Sequence, residues 1–180
     1  MEIILAIGEI FDMVKIIIVN EKDEIIDHKE RGTLNKNDIY RVSALWIMNS
    51  KGEVLLAQRS FNKKNNPGKW GPAVAGTNDI GETYLSNIIK EAEEEIGINI
   101  PNPKKLQKNR INGKNNYFVQ WYYLELDKEI IEFALQEDEV EKIKWFSKEE
   151  FLEGIENLNS DFLDTMREYT HLIDLVKNFK

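Results

Sequence analysis

Residues Gly76 to Ile98 read GTNDIGETYLSNIIKEAEEEIGI, and this stretch decides the fold. Its second half carries apolar side chains at helical spacing, namely Tyr84, Leu85, Ile88, Ile89, Ala92 and Ile96. This periodicity predicts an amphipathic helix with one face toward a core. Gly97 follows the last apolar position and is typical of a left-handed helix cap. Gly76 and Gly81 bracket a loop that either turns tightly or approaches a ligand closely.

The same helix carries three acidic residues on one side. Glu91, Glu94 and Glu95 stand at i, i+3 and i+4, within about 100° of arc. A hard divalent cation would offset their repulsion, and Mg²⁺ prefers oxygen ligands and shares substrate phosphates. The alternative is a solvated acidic face. Because the three glutamates border the apolar stripe, they should lie in a groove at the edge of the core, which favours a metal site.

Both glycines and four glutamates of this stretch together resemble the Nudix box. The family pattern is Gly-x5-Glu-x7-Arg-Glu-U-x-Glu-Glu-x-Gly-U, where U is aliphatic, and it runs here from Gly76 through Glu82 to Ile98. One fixed polar position differs, since Lys90 stands in place of arginine. The resemblance implies an α/β (α+β) fold of the Nudix type, an α/β/α sandwich with a mixed β-sheet flanked by helices.

The pattern outside the box agrees with a mixed sheet covered by helices. Strands are predicted at Ile3–Ile10, Lys15–Val19, Glu24–His28, Val42–Met48, Glu53–Arg59, Trp70–Gly76, Leu106–Ile111, Tyr117–Leu126 and Val140–Phe146. Ser147 and Glu150 have capping-box spacing and open a helix. A final helix is predicted over about Asp161 to Lys177.

We expect the 180 residues to form a single Nudix domain over 1–180. Within it we distinguish an N-terminal β extension over 1–34, a core over 35–155 with the box at 76–98, and a C-terminal helix over 156–180. An apolar fraction of 42% is enough for a substantial core.

Composition excludes several function classes. The formal charge of −8 argues against general nucleic-acid binding, which needs a basic face. A bound cation would still admit a small anionic substrate. The chain has no cysteine, which excludes disulfides and thiol catalysis and fits a cytoplasmic location. No apolar run approaches the roughly 20 residues of a membrane span, so we expect no membrane partner.

A narrower resemblance links IMNSKGEVLLAQRS, KKNNPGKW and the box to the Nudix branch that contains isopentenyl-diphosphate isomerase. Where that enzyme has a cysteine and two metal-binding histidines, this chain has Ala75, Thr77 and Tyr40. The isomerase's paired glutamates fall near Asn116 and Phe118. Alkene protonation needs an acid at the carbon, and these positions supply none. The box glutamates of the hydrolases are complete, so the sequence favours diphosphate hydrolysis over isomerisation.

The hydrolase resemblance implies that Glu91, Glu94 and Glu95 bind Mg²⁺, with Mn²⁺ as a substitute. The metal would polarise phosphorus and activate a water. A carboxylate would take the proton of that water, and the candidates are Glu94 in the box and Glu139 in a later loop. The alternative for Glu139 is one more charge in the solvated loop QEDEVEK.

Other polar residues are assigned around this centre. Glu82 is expected to orient Lys90 or a metal-bound water, and Lys90 lacks the bidentate grip of arginine. The substrate-binding candidates are Arg59, Lys69 and Gly76, with a surface cation as the alternative for Arg59.

Several further side chains have a second interpretation. Lys63 and Lys64 bring further positive charge for phosphate contacts, and a solvated loop is the favoured alternative. Trp70 resembles a family position and either packs in the core, which is favoured, or stacks on a base. Tyr117, Trp121 and Tyr123 alternate on one strand and either stack on a base or pack the sheet.

Three functions are therefore carried forward. The first is an Mg²⁺-dependent pyrophosphohydrolase that acts on a small-molecule diphosphate, a nucleoside or other organic diphosphate linked to another group. The second is a divergent isopentenyl-diphosphate isomerase, and the third is a nucleotide-binding module with little turnover. A homodimer is an open alternative, and the sequence does not identify the linked group.

Overall fold

The computed structural model describes residues 15–113, 115–157 and 161–179. The strand predicted at Ile3–Ile10 lies outside these ranges. The described strands are β1 (Lys15–Val19), β2 (Ile25–Glu30), β3 (Ile39–Met48), β4 (Val54–Arg59), β5 (Trp70–Pro72), β6 (Val74–Thr77), β7 (Lys104–Asn112), β8 (Asn116–Glu125) and β9 (Val140–Phe146). All of them join one mixed sheet.

Strand β3 organises the sheet. One of its edges pairs in parallel with β8 along nine residues, from Tyr40 opposite Tyr117 to Met48 opposite Glu125. Its other edge is shared by β1, β6 and β4, all antiparallel. Strand β9 pairs with β4, and β7 pairs with β8.

Alternation along β3 places a core on each face of the sheet. Trp46 and Met48 pack with the buried side chains of the C-terminal helices, while Leu45 and Ile47 pack on the other face with Ile88 and its neighbours on the box helix. These residues are fully buried. The α/β/α sandwich predicted from the sequence is confirmed.

Helix α1 (Tyr84–Ile96) is the predicted box helix. Thr83 caps its start by accepting a hydrogen bond from the Ser86 backbone N–H, and Gly97 ends it in the left-handed region at φ 67°. Of the predicted apolar stripe, Ile88, Ala92 and Ile96 are buried, but Leu85 is 44% exposed. The prediction for Leu85 is wrong because the side chains four residues apart from Tyr84 onward face the core, which turns Leu85 toward solvent.

The strand predicted at Trp70–Gly76 is two strands. Pro72 ends β5, which pairs with β4, and from Val74 onward β6 pairs instead with β3. Proline has no backbone N–H for a ladder, so a change of partner at this position costs little. The switch brings Gly76 beside the centre of the sheet, facing α1.

The C-terminal part differs from the single helix predicted over Asp161 to Lys177. Helix α2 (Lys148–Glu156) begins with the predicted Ser147 capping box. After it come a 3-10 turn at Asp164–Glu168 and a short helix α3 (Thr170–Lys177). The break falls at Tyr169, whose ring packs edge-on against Trp121 with centroids 4.7 Å apart. A continuous helix would lose that contact.

The turn between β1 and β2 is held by a buried carboxylate. Asp23 adopts φ 63° and accepts hydrogen bonds from Arg41 Nε at 2.7 Å, from the Tyr84 hydroxyl at 3.0 Å and from Lys108 Nζ. Burial raises the pKa of Asp23, but the bonds from Lys108 and Arg41 outweigh burial and lower it overall. We call Asp23, Arg41, Tyr84 and Lys108 the Asp23 clamp. It ties the first hairpin to the start of α1.

Asp23→Asn is expected to lower the free energy of unfolding by about 2–3 kcal/mol, because two cations then face no negative charge. Asparagine tolerates the left-handed region, so the turn itself survives. Urea unfolding measures the effect. Asp27→Asn on the exposed face of β2 is the matched control and should change the stability by less than about 0.5 kcal/mol. Equal effects for the two variants would contradict the clamp.

Candidate active site

A groove of about 480 Å³ runs between α1, β6 and the loop before β9. Five acidic and four basic side chains line it; they are Asp79, Glu91, Glu94, Glu95, Glu139, Arg31, Arg59, Lys63 and Lys90. We call this the carboxylate groove. Glu139 follows Glu95 by 44 residues in the sequence, yet it meets Glu91, Glu94 and Glu95 in this groove.

Gly76 makes room for Glu91. A Cβ at position 76 would lie 2.3 Å from the carboxyl carbon of Glu91, so any other residue there would force the Glu91 side chain to move. Asn87 Nδ2 donates to Glu91 Oε1 at 3.2 Å. Burial raises the pKa of Glu91, although the charge of Lys90 opposes the shift. The bare backbone at Gly76 is therefore what lets a partly buried carboxylate stand in the groove.

Glu95 is the most strongly perturbed acid of the groove. Its Oε2 accepts a hydrogen bond from the Ala75 backbone N–H at 3.3 Å. Burial, followed by the charge of Glu91, raises the pKa of Glu95 to about 8. Glu94 lines the groove from an exposed position one residue earlier. These neighbouring carboxylates repel one another, and binding a proton or a cation relieves the repulsion.

Lys90 lines the groove and lies within a cluster of acids. Its Nζ is 2.6 Å from Glu82 Oε1, 3.3 Å from Asp79 Oδ2 and 3.7 Å from Glu91 Oε1. Glu82 also accepts from Asn87 Nδ2 at 2.8 Å. Burial lowers the pKa of Lys90, but its bond to Glu82 and the neighbouring charges raise it overall, so Lys90 stays cationic. Glu82 therefore binds Lys90 and does not itself line the groove.

Sequence reasoning missed the contributions of Asp79 and Asn87. Both lie within the x positions of the box pattern, where no residue type is specified, so no motif signal marks them. Asp79 also pairs with Arg31 at 3.2 Å, which brings a cation from the first hairpin to the groove. Only the folded chain shows this contact, because residues 31 and 79 are far apart in sequence.

Glu139 is brought to the groove by backbone contacts. The Gln136 N–H donates to the Glu95 carbonyl at 3.0 Å, and the Ser60 N–H donates to the Glu139 carbonyl at 2.9 Å. The Glu139 carboxylate forms an ion pair with Lys63. The Lys63 side chain is only 26% exposed and lines the groove, so the solvated-loop interpretation is wrong for this residue.

Of the other substrate-binding candidates, Arg59 lines the groove and Lys69 does not. Arg59, at the end of β4, lines the groove and donates from Nε to the Asn65 carbonyl at 3.1 Å. Lys69, just before β5, is half-buried and is not among the side chains that line the groove. Trp70 is in the core as expected, edge-on to Phe146 with centroids 5.0 Å apart.

Within residues 15–113, 115–157 and 161–179, no group of three or more His, Cys, Asp or Glu side chains is already arranged to hold a metal ion. The carboxylate groove supplies the oxygen donors but not a finished coordination sphere. In the same ranges, none of the helices has the length and apolar character that crossing a membrane requires.

Residues 39–166 match the family model of the NUDIX domain, and the chain belongs to this family. Nudix hydrolase 3 of Arabidopsis thaliana is 30% identical over an alignment of 164 positions, which covers 83% of this chain and 21% of that protein. An isopentenyl-diphosphate Delta-isomerase of Escherichia coli O127:H6 is 30% identical over an alignment of 82 positions, which covers 42% of this chain and 45% of the isomerase.

The chain therefore spans about a fifth of the plant relative and less than half of the isomerase. The crystal structure of DR0079 from Deinococcus radiodurans has the same fold, with a TM-score of 0.73 at 24% identity over 91% of this chain and 97% of that one. The predicted family is confirmed, and the isomerase branch is matched over part of the chain.

Proposed function

We propose that this protein is an Mg²⁺-dependent hydrolase that cleaves the pyrophosphate bond of a nucleoside diphosphate, or another organic diphosphate, linked to a further group. The observation that carries the proposal is the convergence of Glu91, Glu94, Glu95 and Glu139 with Arg59 in one groove beside Gly76. Acids bind the cation, and basic side chains at the rim receive phosphate oxygens.

The donor set fits a hard divalent cation. Glu91, Glu94 and Glu95 offer only carboxylate oxygens, which suit Mg²⁺ and Mn²⁺ and disfavour metals that prefer sulfur or imidazole. Burial and the charge of Glu91 raise the pKa of Glu95 to about 8. The ionised form of Glu95 is therefore costly in the metal-free site, and a bound cation would stabilise it. When bound, the ion would polarise phosphorus and acidify a water.

The chain's own groups perform the remaining steps. The water oxygen attacks one phosphorus, and the bridging P–O bond breaks, so two phosphate products leave. Glu94 and Glu139 are the two candidates to accept the water proton, since both carboxylates face the groove. Lys63 holds Glu139 in place. Lys90 holds Glu82 and Asp79 at the edge of the groove. Arg59 lines the groove and would contact the phosphates.

Isomerisation is the second candidate, because the chain is 30% identical to an isomerase over 82 residues. Against it, Ala75, Thr77 and Tyr40 line the cavity beside the groove at the positions of the isomerase's cysteine and histidines. Burial raises the pKa of Tyr40 to about 12, which makes it a poor proton donor. An assay with isopentenyl diphosphate should therefore yield no isomerised product.

Hydrolysis is tested by incubating the full chain with Mg²⁺ and a panel of nucleotide sugars, dinucleotides, nucleoside triphosphates and prenyl diphosphates. We expect release of phosphate or monophosphate from at least one class and loss of that release with EDTA. Glu94→Gln should lower it strongly. If no compound is cleaved at micromolar enzyme, or if Glu94→Gln leaves the rate unchanged, the proposed function is wrong.

Lys90→Arg is expected to raise kcat by about two- to fivefold, because a guanidinium can bridge Glu82 and Asp79 with two parallel bonds where the ammonium makes one short contact. Lys90→Met is the matched loss variant and should lower kcat, since Glu82 and Asp79 would lose the cation that they share. Steady-state kinetics measures both. An arginine variant less active than the methionine variant would contradict this role.

A further inference from the structure

Asn87 is a fully buried amide of the box helix. It lies on α1 four residues before Glu91 and is 0% exposed. It does not line the carboxylate groove, so it does not touch a ligand bound there. Burying a polar side chain is costly unless its atoms find hydrogen-bond partners. The role of an amide at this position must therefore lie in its contacts with neighbouring residues.

The nitrogen of the Asn87 amide meets three acceptors. Nδ2 lies 2.8 Å from Glu82 Oε2, 3.2 Å from Glu91 Oε1 and 3.3 Å from the Thr77 carbonyl oxygen. Ionised carboxylates and carbonyls only accept hydrogen bonds, so the amide must present its NH₂ group to them. Its oxygen, Oδ1, is then buried without a partner among the described residues. The chain therefore tolerates an unsatisfied acceptor at the position that directs a donor at two carboxylates.

Lys90 and Asn87 divide the two oxygens of Glu82 between them. Lys90 Nζ contacts Oε1 at 2.6 Å, and Asn87 Nδ2 contacts Oε2 at 2.8 Å. A guanidinium can bond both oxygens of a carboxylate with two parallel N–H groups, whereas an ammonium is a point charge without that fork. Asparagine supplies the second bond here. Lysine and asparagine together thus hold Glu82 as a single arginine could.

The same amide extends the contact to Glu91. Lys90 Nζ is 3.7 Å from Glu91 Oε1, which is beyond hydrogen-bond distance, whereas Asn87 Nδ2 is within it. Lys90 therefore supplies charge to Glu91, and Asn87 supplies direction. The Glu91 side chain is only 13% exposed, so few water molecules compete for its oxygens. We call the contacts of Asn87 Nδ2 with Glu82 and Glu91 the Asn87 bridge.

We propose that Asn87 is a positioning residue for hydrolysis, and that the Asn87 bridge supplies the second hydrogen-bond donor that Lys90 lacks. The inference rests on the proposed function and adds a residue to it. The bridge keeps Glu82 on Lys90 and fixes the rotation of the Glu91 carboxylate, a proposed cation ligand. Because Asn87 and Lys90 act as a unit, the effect of changing one depends on the residue at the other position.

A double-mutant cycle tests this coupling. In the natural chain, Asn87→Ala should lower kcat about thirtyfold and change KM less than twofold, measured with Mg²⁺ on the compound of the panel that the natural chain cleaves fastest. In the Lys90→Arg chain, Asn87→Ala should lower kcat less than about threefold, because a guanidinium has enough donors to hold both oxygens of Glu82. Equal losses in the two backgrounds would overturn the inference, since an amide that only fills space is needed beside either residue.

Mg²⁺ binding gives a second readout, which needs no substrate. Calorimetry on the full chain should show that Asn87→Ala raises the Kd for Mg²⁺ about tenfold in the natural chain and less than about twofold in the Lys90→Arg chain. If Mg²⁺ binds in this way but no diphosphate is cleaved, the proposed function fails, while the role of Asn87 in orienting the acids stands. If the natural chain takes up no Mg²⁺, the inference fails.

Two further variants separate the missing hydrogen bond from a packing defect. Asn87→Leu keeps a side chain of similar size without a donor and should show the same losses as Asn87→Ala. Asn109→Ala is the matched control, because Asn109 Oδ1 is also buried without a partner among the described residues, but the residue lies on β7 and does not line the groove. It should keep kcat and the Kd for Mg²⁺ within about twofold. Full activity in Asn87→Leu, or loss of its folded circular dichroism spectrum, would show that Asn87 has a packing role and would overturn the inference.

Discussion

Glu95→Gln is expected to lower kcat about a thousandfold, equivalent to about 4 kcal/mol of transition-state stabilisation. The amide keeps the shape of the side chain and its bond from the Ala75 N–H, but it removes a negative charge from the proposed cation site. Steady-state hydrolysis at saturating Mg²⁺ measures the loss. Calorimetry with Mg²⁺ should show weaker cation binding in the same variant.

The same substitution is expected to stabilise the metal-free protein at high pH. Burial and the charge of Glu91 raise the pKa of Glu95 to about 8, above the ordinary value of 4.5, so the folded state binds the proton more tightly than the unfolded state does. Stability therefore falls as pH rises from 4.5 to about 8. Glutamine avoids this cost. In EDTA, Glu95→Gln should be more stable than the natural chain by about 2 kcal/mol at pH 9, with the difference vanishing near pH 5.

Glu93→Gln is the matched control for both measurements. Glu93 is exposed on the same helix and does not line the carboxylate groove. The control should keep its activity within about twofold and its stability within about 0.5 kcal/mol. A Glu95 variant that retains full activity, or that loses stability at pH 9 in EDTA, would show that Glu95 is not a desolvated metal ligand.

Gly76→Ala is expected to lower kcat/KM about a hundredfold with little loss of secondary structure. The added methyl group would lie 2.3 Å from the Glu91 carboxyl carbon, so Glu91 must rotate out of the groove. A displacement of about 1 Å at a reacting centre can cost about a hundredfold in rate. The strand β6 can otherwise accept alanine, since Gly76 does not have a positive φ angle. Circular dichroism and steady-state kinetics separate the two effects.

Gly113→Ala serves as the control for this substitution. A Cβ at Gly113, in the turn after β7, meets no atom within 4 Å, and its φ angle is not positive. Activity should stay within about twofold. If Gly76→Ala were as active as Gly113→Ala, the close approach of Glu91 to the backbone at position 76 would have no role in the reaction.

Much of the fold could be predicted because local patterns and packing agree. The strand at Val140–Phe146, the Ser147 cap and the box helix each follow from short-range spacing and were found where expected. The failures were set by distant contacts. Tyr169 leaves the helix to pack on Trp121, and β5 gives way to β6 at a change of strand partner, neither of which a local window can report.

In the candidate site, too, features set by local spacing could be predicted, and features set by distant contacts could not. The spacing of Glu91, Glu94 and Glu95 places them on one side of α1 from sequence alone. The Lys63–Glu139 pair depends on two loops that meet only in the folded chain, so sequence composition suggested solvated charges there. The division of the chain into residues 1–34, 35–155 and 156–180 stays a prediction.

The Asp23 clamp has a kinetic consequence for the box helix. Tyr84 is the first residue of α1 and donates its hydroxyl to a carboxylate in the first hairpin, so the helix end cannot fray while that hairpin stays closed. Amide hydrogens in the turn at residues 20–24 and in the first turn of α1 should exchange with deuterium at a common rate, as one cooperative opening unit. A stronger clamp would make this opening rarer and so stiffen the loop between Gly76 and Thr83, without changing any carboxylate of the groove.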